Sequence, residues 1–405
     1  MKLFLMMIFH EEFNMYGELK KAQELFKNEN GEYENVSYEY FMPNILNKGF
    51  IIHDPEIYVL SEKVIKAIAE LNADSRNLKN IDIFIRMLIN QEAVKSSSIE
   101  GTRTTFSDIL LPEDSSADFS QKQDRAEVIN YVNATFQLKE NLQKLPISER
   151  FISNLHSILL DSVRGADKNP GKIRKVQNWI GGHTIKSAKF IPPHWNELPL
   201  LLKDLCEFWS NDDLKMPILV KIALFHYQFE TIHPFKDGNG RIGRLLILAQ
   251  LLDSGLLEKP WFNVSYIFER NKDNYTEALK NANSSGDLEL WIKFFLDSLN
   301  SAAQNTYKIY HEFNKLQNEC SEKIINLGAK AANAQNLLHV LYDHPYMSLN
   351  YISKKLDITR QTAKNLADDL VKLGIVKPCI LKVKAEKLTR NQQGIKFEKY
   401  IKLFE

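Results

Sequence analysis

The stretch from His233 to Arg244 constrains this chain most, because no packing requirement explains its composition. It reads His-Pro-Phe-Lys-Asp-Gly-Asn-Gly-Arg-Ile-Gly-Arg. The apolar residues from Ile218 onwards recur at helical spacing and predict a buried helix before it, and the run 245–252 predicts a second, central helix after it. The stretch is therefore predicted to be a polar loop at the N-terminal end of a buried helix.

Such a loop is suited to binding phosphate groups. Gly238, Asn239 and Gly240 can adopt positive φ angles that turn successive N–H groups into one concavity. The helix that follows adds the positive end of its dipole, and Arg241 and Arg244, three residues apart, place two guanidinium forks on one face. Taken singly, these residues would equally suit a turn, a helix cap and two solvated arginines. Their combination at this spacing predicts a polyphosphate site.

Two further residues in the stretch bring chemistry to that site. Asp237 offers one carboxylate beside the phosphates, which is the usual way in which a protein holds Mg²⁺. His233 is the one group in the stretch whose ordinary pKa lets it take up a proton near neutrality. The sequence therefore predicts a polyphosphate site with a metal ligand and a base.

The stretch fills every defining position of the Fic-family signature, His-x-Phe-x-Asp/Glu-Gly-Asn-Gly-Arg-x-x-Arg, and the chain resembles that family. The resemblance implies transfer of AMP from ATP, with Mg²⁺, to a Ser, Thr or Tyr hydroxyl of a target protein. His233 would then be the catalytic base and Asp237 the metal ligand. The residues implied in nucleotide binding are Gly238, Asn239, Gly240, Arg241, Ile242, Gly243, Arg244, Glu100 and Tyr275.

The segment Ser96-Ser-Ser-Ile-Glu100-Gly101 follows an apolar helical pattern and by itself is typical of a helix end with a glycine stop. Beside the signature it resembles the inhibitory motif Ser/Thr-x-x-x-Glu-Gly/Asn of Fic proteins. The resemblance implies that Ser96, Glu100 and Gly101 are inhibitory residues. Glu100 would pair with Arg244 and so compete with the ATP γ-phosphate.

Residues 171–193 contain short β-like runs separated by Gly-Gly and closed by Pro-Pro, which predict a surface hairpin. In a Fic protein this region resembles the flap, whose edge adds a target segment as an extra strand. The implied target-docking residues are Ser187, Ala188, Lys189, Phe190 and Ile191. Gly171 and Arg174 resemble family positions with a structural role.

Three other polar aromatic residues are interpreted separately. Tyr275 lies in a segment that resembles the adenine pocket of the family, but an ordinary interhelical tyrosine is the alternative. His156 is interpreted as a packing or capping residue, and His226 as a core histidine whose hydrogen bonds are satisfied.

The C-terminal 75 residues resemble a winged helix-turn-helix, with helices predicted near Gln335, Ser348 and Thr359 and a wing beginning near Gly374. Residues 331–405 hold 13 Lys/Arg and 7 Asp/Glu, a net charge of +6. Arg360, Gln361 and Lys364 would face a DNA major groove if the third helix reads DNA. The alternative is a module that binds protein or dimerises.

The predicted fold is mainly α: a Fic-type helical core with a β-hairpin flap, followed by the winged helix-turn-helix. The predicted divisions are a lead-in region over 1–78, the core over 79–300 with the inhibitory helix near 92–101, a linking helix over 301–330, and the C-terminal module over 331–405. A length of 405 residues agrees with more than one domain.

Composition gives no support for a nucleic-acid-binding, lipid-binding, disulfide-rich or membrane-spanning protein. The net charge of +1 gives no whole-molecule argument for binding nucleic acid or anionic lipid, and three widely spaced cysteines form neither a metal pattern nor a disulfide framework. The apolar run at residues 3–9 is too short to span a membrane, and no small-residue cleavage site follows it. We therefore expect a cytoplasmic protein without a membrane partner.

Two classes of function follow from the sequence. The first is a protein adenylyltransferase that restrains itself through Glu100. The second is a DNA-binding regulator whose core only senses nucleotide. The presence of both His233 and Asp237 favours the enzyme. Removal of AMP from a protein, or transfer of another phosphate-containing group, is a further alternative. The expected partners are a target protein, DNA through the C-terminal module, or a second copy of the chain.

Overall fold

The computed structural model describes residues 17–27, 32–76, 80–112, 119–161, 163, 168–385 and 388–405. The apolar run at residues 3–9 lies outside these ranges. None of the helices in the described ranges combines the length and hydropathy needed to cross a membrane.

The described chain is mainly helical, as predicted. Its α-helices are α1 Glu56–Ser75, α2 Ile81–Ile99, α3 Phe106–Leu110, α4 Phe119–Lys144, α5 Glu149–Leu159, α6 Leu198–Ser210, α7 Ile218–Ile232, α8 Asn239–Asp253, α9 Val264–Arg270, α10 Lys272–Ser285, α11 Leu288–Ile325, α12 Ala331–Asp343, α13 Leu349–Leu356, α14 Arg360–Lys372 and α15 Glu398–Ile401. Its strands are β1 Glu18–Lys27, β2 Tyr33–Met42, β3 Tyr346–Ser348, β4 Lys377–Ala385 and β5 Leu388–Lys396.

The chain divides into two compact units. The first holds the described residues of Met1–Ala67, Asn133–Glu258 and Arg270–Asn300, and the second holds those of Ile68–Val132, Lys259–Glu269 and Ser301–Glu405. Four of the unit boundaries fall inside helices, namely α1, α4, α9 and α11. Because α11 runs unbroken for 38 residues, the segment predicted as a separate linking helix over 301–330 mostly continues the helix that ends the core. The other predicted divisions remain predictions.

The first unit is built around α7 and α8. Nearly every side chain of α7 is buried, including that of Phe225, so this helix packs on all sides. The Trp291 indole N–H, from the start of α11, donates to the Ala223 carbonyl at 2.8 Å and joins α11 to this core. The helix α7 ends at Ile232. His233 caps it with a φ of 49°, and the following proline has no N–H with which to continue the helix.

An N-terminal hairpin also belongs to the first unit. Strands β1 and β2 pair antiparallel, with Glu24 opposite Val36. Alternate residues of β2 are buried, and its Val36, Tyr38 and Tyr40 form an apolar cluster with Ile185. The hairpin thus buries one face and exposes the other, as an antiparallel strand pair commonly does. The sequence analysis assigned no structure to these residues.

The second unit contains the C-terminal elements. The order α12, β3, α13, α14, β4, β5 agrees with the predicted order of three helices and a wing, and the strands form one antiparallel sheet in the order β3-β5-β4. An aromatic cluster lies in the core of this unit: the rings of Phe84 and Phe313 stack at 5.4 Å, and Tyr342 and Tyr400 pack edge to face. Assignment of this module to the winged helix-turn-helix class remains a prediction.

Arg174, near the start of the predicted flap region 171–193, binds backbone carbonyls at the end of α7. Its side chain is 2% exposed. Its Nε donates to the His233 carbonyl at 2.9 Å, and its Nη2 donates to the carbonyls of Pro193 at 2.6 Å and Ile232 at 3.4 Å. Its backbone N–H donates to the Pro234 carbonyl at 2.9 Å. Burial lowers the pKa of Arg174 to about 10, so the guanidinium stays charged at neutral pH.

We expect Arg174→Met to lower the free energy of unfolding by about 2–4 kcal/mol, because it leaves several buried carbonyls without donors. Arg174→Lys should recover little of this loss, since an ammonium cannot reproduce the guanidinium fork. Urea denaturation measures both variants. The neighbouring Lys175 is exposed, and Lys175→Met should change stability by less than about 0.5 kcal/mol. Equal stability of Arg174→Met and wild type would contradict the structural role.

Candidate active site

The loop between α7 and α8 is held by hydrogen bonds to its own backbone. The Asn239 side chain donates to the Phe235 carbonyl and accepts from the Phe235 N–H, both at 2.8 Å. Asn178 adds a second donor to the Phe235 carbonyl at 3.1 Å. Asn239 is one of the residues implied in nucleotide binding, and its side chain is engaged inside the loop. Its contribution to anion binding would come from its backbone N–H.

His156, on α5, contacts the same loop at Phe235 and Asp237. Its Nε2 lies 2.9 Å from the Asp237 carbonyl, and its Nδ1 lies 2.8 Å from the Gly171 N–H. The imidazole stacks on the Phe235 ring, with 3.8 Å between centroids and an angle of 7° between planes. Burial lowers the pKa of His156 to about 4. Of the two predicted roles, packing or capping, the structure supports packing, with a hydrogen bond between each ring nitrogen and a loop backbone group.

His233 stands at the junction of α7 and the loop and is half-buried. Its Nδ1 lies 3.3 Å from the Glu230 carbonyl. A carbonyl oxygen can only accept, so Nδ1 carries the proton in this contact and the lone pair of the neutral ring is on Nε2. In this tautomer Nε2 can accept a proton, as a catalytic base at that position must.

Gly238 begins α8 in the left-handed conformation, with a φ of 77°. The first N–H groups of a helix have no carbonyl in a preceding turn, so the start of α8 is suited to bind an anion. The Arg241 guanidinium is 3.6 Å from the Asp237 carboxylate, and its side chain is 4% exposed. Arg244 is buried as well, at 1% exposed. The structure therefore brings both arginines, Asp237 and the helix start to one region of the first unit.

Two further residues of the motif lie inside the first unit. Ile242 is fully buried in α8. A Cβ at Gly243 would lie 2.1 Å from the Glu230 carboxylate and 3.2 Å from the His226 ring, so a larger residue there would displace the Glu230 side chain. Glu230 is a residue of this site that the sequence analysis missed, and its position three residues before His233 was the available signal.

Tyr275 occupies the interior of the first unit. It is 5% exposed, and its hydroxyl is 2.9 Å from Nε2 of His226. Its ring packs near Trp291, with 6.2 Å between centroids. This geometry favours the interhelical alternative over a ring that stacks on adenine.

His226 is 1% exposed and has a partner for each ring nitrogen, as was predicted. Its Nδ1 lies 3.2 Å from the Gly243 carbonyl, and its Nε2 contacts Tyr275. Burial, with a smaller contribution from the charge of Arg244, lowers the pKa of His226 to about 3. The ring is therefore neutral at physiological pH.

Asp237 suits a metal ion that takes most of its ligands from substrate phosphates and water. Its side chain is 43% exposed, and its Oδ1 accepts the Gly238 N–H at 2.6 Å. Within the described ranges, no group of three or more His, Cys, Asp or Glu residues is placed to hold a metal ion. One accessible carboxylate next to an anion site fits Mg²⁺, which commonly binds one or two carboxylates together with substrate phosphates and water.

The segment with the predicted inhibitory residues belongs to the second unit. Helix α2 ends at Ile99, and Glu100 caps it with an exposed side chain. Gly101 follows with a φ of 96°, which favours glycine. Ser96 is fully buried. The helix end that the sequence predicted is thus present, and the inhibitory role of these residues remains a prediction.

The predicted flap is a loop closed by one antiparallel bridge. Ile180 and Phe190 exchange backbone hydrogen bonds of 2.8 and 3.2 Å. The Ile191 carbonyl accepts the N–H of Phe41 from β2 at 3.0 Å, so part of one flap edge already has a partner. Among the other predicted docking residues, Ala188 is half-buried, and Ser187 and Lys189 are exposed.

A cleft of about 750 Å³ lies between the flap and the N-terminal hairpin, both in the first unit. Ile185, Lys186, Ala188 and Ile191 line it from the flap. Lys21, Ala22, Gln23, Ser37, Tyr38 and Glu39 line it from the hairpin. The sequence analysis did not predict this hairpin wall.

Comparison with known proteins agrees with the motif. Residues 146–251 match the Fic/DOC family, and residues 60–137 match the Fic/DOC family N-terminal region. A probable protein adenylyltransferase of Aquifex aeolicus is 40% identical over 98 residues, which are 24% of this chain and 28% of that protein. The protein adenylyltransferase Fic of Drosophila grimshawi is 30% identical over 250 residues, 59% of this chain and 46% of that protein. The matches thus span less than half the length of either relative.

The fold has a counterpart among solved structures. A Fic family protein from Desulfovibrio desulfuricans superposes with a TM-score of 0.56 at 19% identity, covering 86% of this chain and 97% of that one. This similarity establishes the fold. The two family regions confirm the resemblance drawn from the motif: the chain contains the N-terminal region of the Fic/DOC family at residues 60–137, followed by a Fic/DOC domain at residues 146–251.

Proposed function

We propose that this chain is a protein adenylyltransferase, which transfers AMP from ATP to a Ser, Thr or Tyr hydroxyl of a target protein. The observation that carries the proposal is the 3.3 Å contact between Nδ1 of His233 and the Glu230 carbonyl, which leaves Nε2 of the neutral ring as the proton acceptor, in a motif that also holds two buried arginines. The names of the relatives from Aquifex aeolicus and Drosophila grimshawi support it.

The chemistry assigned to each group follows from its position. Nε2 of His233 would take the proton of the target hydroxyl as its oxygen bonds to the α-phosphorus and the bond to the β-phosphate oxygen breaks, with pyrophosphate as the leaving group. The N–H groups at the start of α8, with Arg241 and Arg244, would hold the phosphate charge. Asp237 would hold Mg²⁺, which neutralises charge on the phosphates when it is bound.

The target would dock on the flap. The bridge between Ile180 and Phe190 closes the flap loop, in which Ile185–Ser187 form one 3-10 turn, and the neighbouring cleft provides room for a polypeptide segment. Because Phe41 already bonds to Ile191, an added strand would contact the flap through the residues before Ile191.

We expect His233→Ala to reduce AMP transfer at least about 100-fold, because a positioned base contributes that much or more. ATP binding should persist, since the helix start and both arginines are unchanged. Transfer is measured by mass spectrometry of modified protein in a cell lysate, and ATP binding by calorimetry. His53→Ala, at an exposed histidine, is the matched control. Transfer by His233→Ala at the wild-type rate would show that another group is the base.

We also propose that Glu100 restrains the enzyme by pairing with Arg244 in place of the γ-phosphate. The support is the motif Ser96-x-x-x-Glu100-Gly101 at the end of α2, with Glu100 at its cap. A carboxylate on those donors would leave the α-phosphate misaligned for in-line attack.

Glu100→Gly should therefore raise AMP transfer, including modification of the protein itself, by up to about a hundredfold, the scale on which misalignment slows a reaction. Adding Arg244→Ala should cancel the gain, because the gain depends on that guanidinium. Incorporation of labelled AMP at matched ATP and Mg²⁺ measures all three proteins. Equal incorporation by wild type and Glu100→Gly would remove the inhibitory role.

DNA binding by the C-terminal module is a second proposed function. The observation that favours it is the exposed row Arg360, Gln361 and Lys364 on α14, the helix that follows the short α13. The winged helix-turn-helix interpretation places this helix against DNA, and the positive charge of residues 331–405 would contact phosphates.

In that case the full chain should bind duplex DNA with an affinity that falls steeply with salt, and replacing Arg360 and Lys364 by Ala should lower the salt slope by about 1–2. Fluorescence anisotropy of a labelled duplex measures both effects. Lys308→Ala, at an exposed residue of α11, is the control. Absence of binding at low salt would favour the alternative of a protein-binding module.

A further inference from the structure

Two buried histidines of the first unit contact the backbone of the motif at different points. His156 on α5 contacts the Asp237 carbonyl before α8 begins, and His226 on α7 contacts the Gly243 carbonyl inside α8. Their side chains are 0% and 1% exposed. Neither residue has a part in the proposed transfer itself.

The partners of His156 determine which ring nitrogen carries the proton. The backbone N–H of Gly171 can only donate, so Nδ1, at 2.8 Å from it, must be the acceptor. The Asp237 carbonyl can only accept, so Nε2, at 2.9 Å, must carry the hydrogen. The two contacts are satisfied together only by the neutral ring protonated at Nε2.

The partners of His226 require the opposite arrangement. The Gly243 carbonyl accepts, so Nδ1 carries the hydrogen at 3.2 Å. Nε2 of the neutral ring then accepts from the Tyr275 hydroxyl at 2.9 Å, which uses the hydroxyl hydrogen of this buried tyrosine. Stacking on the Trp291 ring, with 5.9 Å between centroids and 19° between planes, fixes the plane of the imidazole.

From these contacts we propose that His156 and His226 are positioning residues, held as opposite neutral tautomers, that fix the motif backbone at Asp237 and at Gly243. This inference rests on the proposed function where it concerns AMP transfer. Asp237 precedes the N-terminal start of α8, and Gly243 adjoins Arg244. The two rings thus set the position of the candidate metal ligand and of the second phosphate-binding arginine without contacting ATP themselves.

The two tautomers predict which amide can replace each ring. A Gln side chain places its N–H₂ near the position of Nε2 of a histidine, and an Asn side chain places its N–H₂ near Nδ1. His156→Gln and His226→Asn therefore keep the donor to the motif carbonyl. His156→Asn and His226→Gln do not, although each pair of variants loses the same ring.

The kinetic test compares these four variants in the full chain, on a Glu100→Gly background. In kcat/KM for AMP transfer we expect His156→Gln to exceed His156→Asn, and His226→Asn to exceed His226→Gln, each by roughly 10- to 100-fold, since displacement of the motif by about 1 Å has effects on that scale. A merely structural role would give the same order of Gln and Asn at both positions. That result, or equal rates within each pair, would overturn the positioning role.

A second measurement does not depend on activity. In ¹⁵N-histidine-labelled wild-type protein, nitrogen chemical shifts identify the protonated nitrogen, and the His156→Gln and His226→Asn spectra assign the two signals by their loss. We expect a hydrogen on Nε2 of His156 and on Nδ1 of His226. The same tautomer at both positions, or a doubly protonated ring at pH 7, would overturn the proposal. If the tautomers are as expected but neither the wild type nor any variant transfers AMP, the function proposed for the chain is wrong. The tautomers and backbone contacts of His156 and His226 are still confirmed in that case.

Discussion

The site depends on how the peptide carbonyls between α7 and α8 are satisfied. Two buried helices are joined here by a short polar loop, and a buried carbonyl without a donor costs about as much as a lost hydrogen bond. Arg174 supplies donors to three consecutive carbonyls through its side chain and its backbone, those of Ile232, His233 and Pro234. Asn239 serves the next one, at Phe235. The loop conformation is therefore fixed by hydrogen bonds within the protein, and it does not depend on a bound nucleotide.

This arrangement separates two kinds of polar residue that look alike in a sequence. Asn239 and Arg174 have side chains that could bind phosphate, but the structure uses them to hold the backbone. The proposed function assigns the chemistry to His233, Asp237, Arg241 and Arg244. A rigid loop would let these groups meet the phosphates without reorganising, which is where electrostatic catalysis gains most.

The sequence predicted the parts of the fold that are encoded locally. The apolar segment from Ile218 predicted α7, and the motif predicted a helix starting near Gly240, one residue from the observed start at Asn239, because both depend on neighbours in the chain. The hairpin β1–β2 was missed although Val36, Tyr38 and Tyr40 alternate as in a strand. Pairing with β1 and burial against Ile185 are contacts over a long sequence separation, which such a short alternation does not specify. Tyr275 illustrates the same limit, since its burial against His226 is decided by tertiary packing.

The β1–β2 hairpin forms part of the surface beside the flap. It lies outside the two regions that match the family, residues 60–137 and 146–251, yet it packs on the flap inside the second of them. Glu24 accepts hydrogen bonds from His194 at 2.6 Å and Trp195 at 2.7 Å, and Lys186 pairs with Glu34 at 2.9 Å. These contacts fix one wall of the cleft beside the flap. The groups proposed for AMP transfer therefore lie within the family region, whereas the surface on which a target would rest is shaped in part by residues outside it, so relatives that share the motif need not share a target.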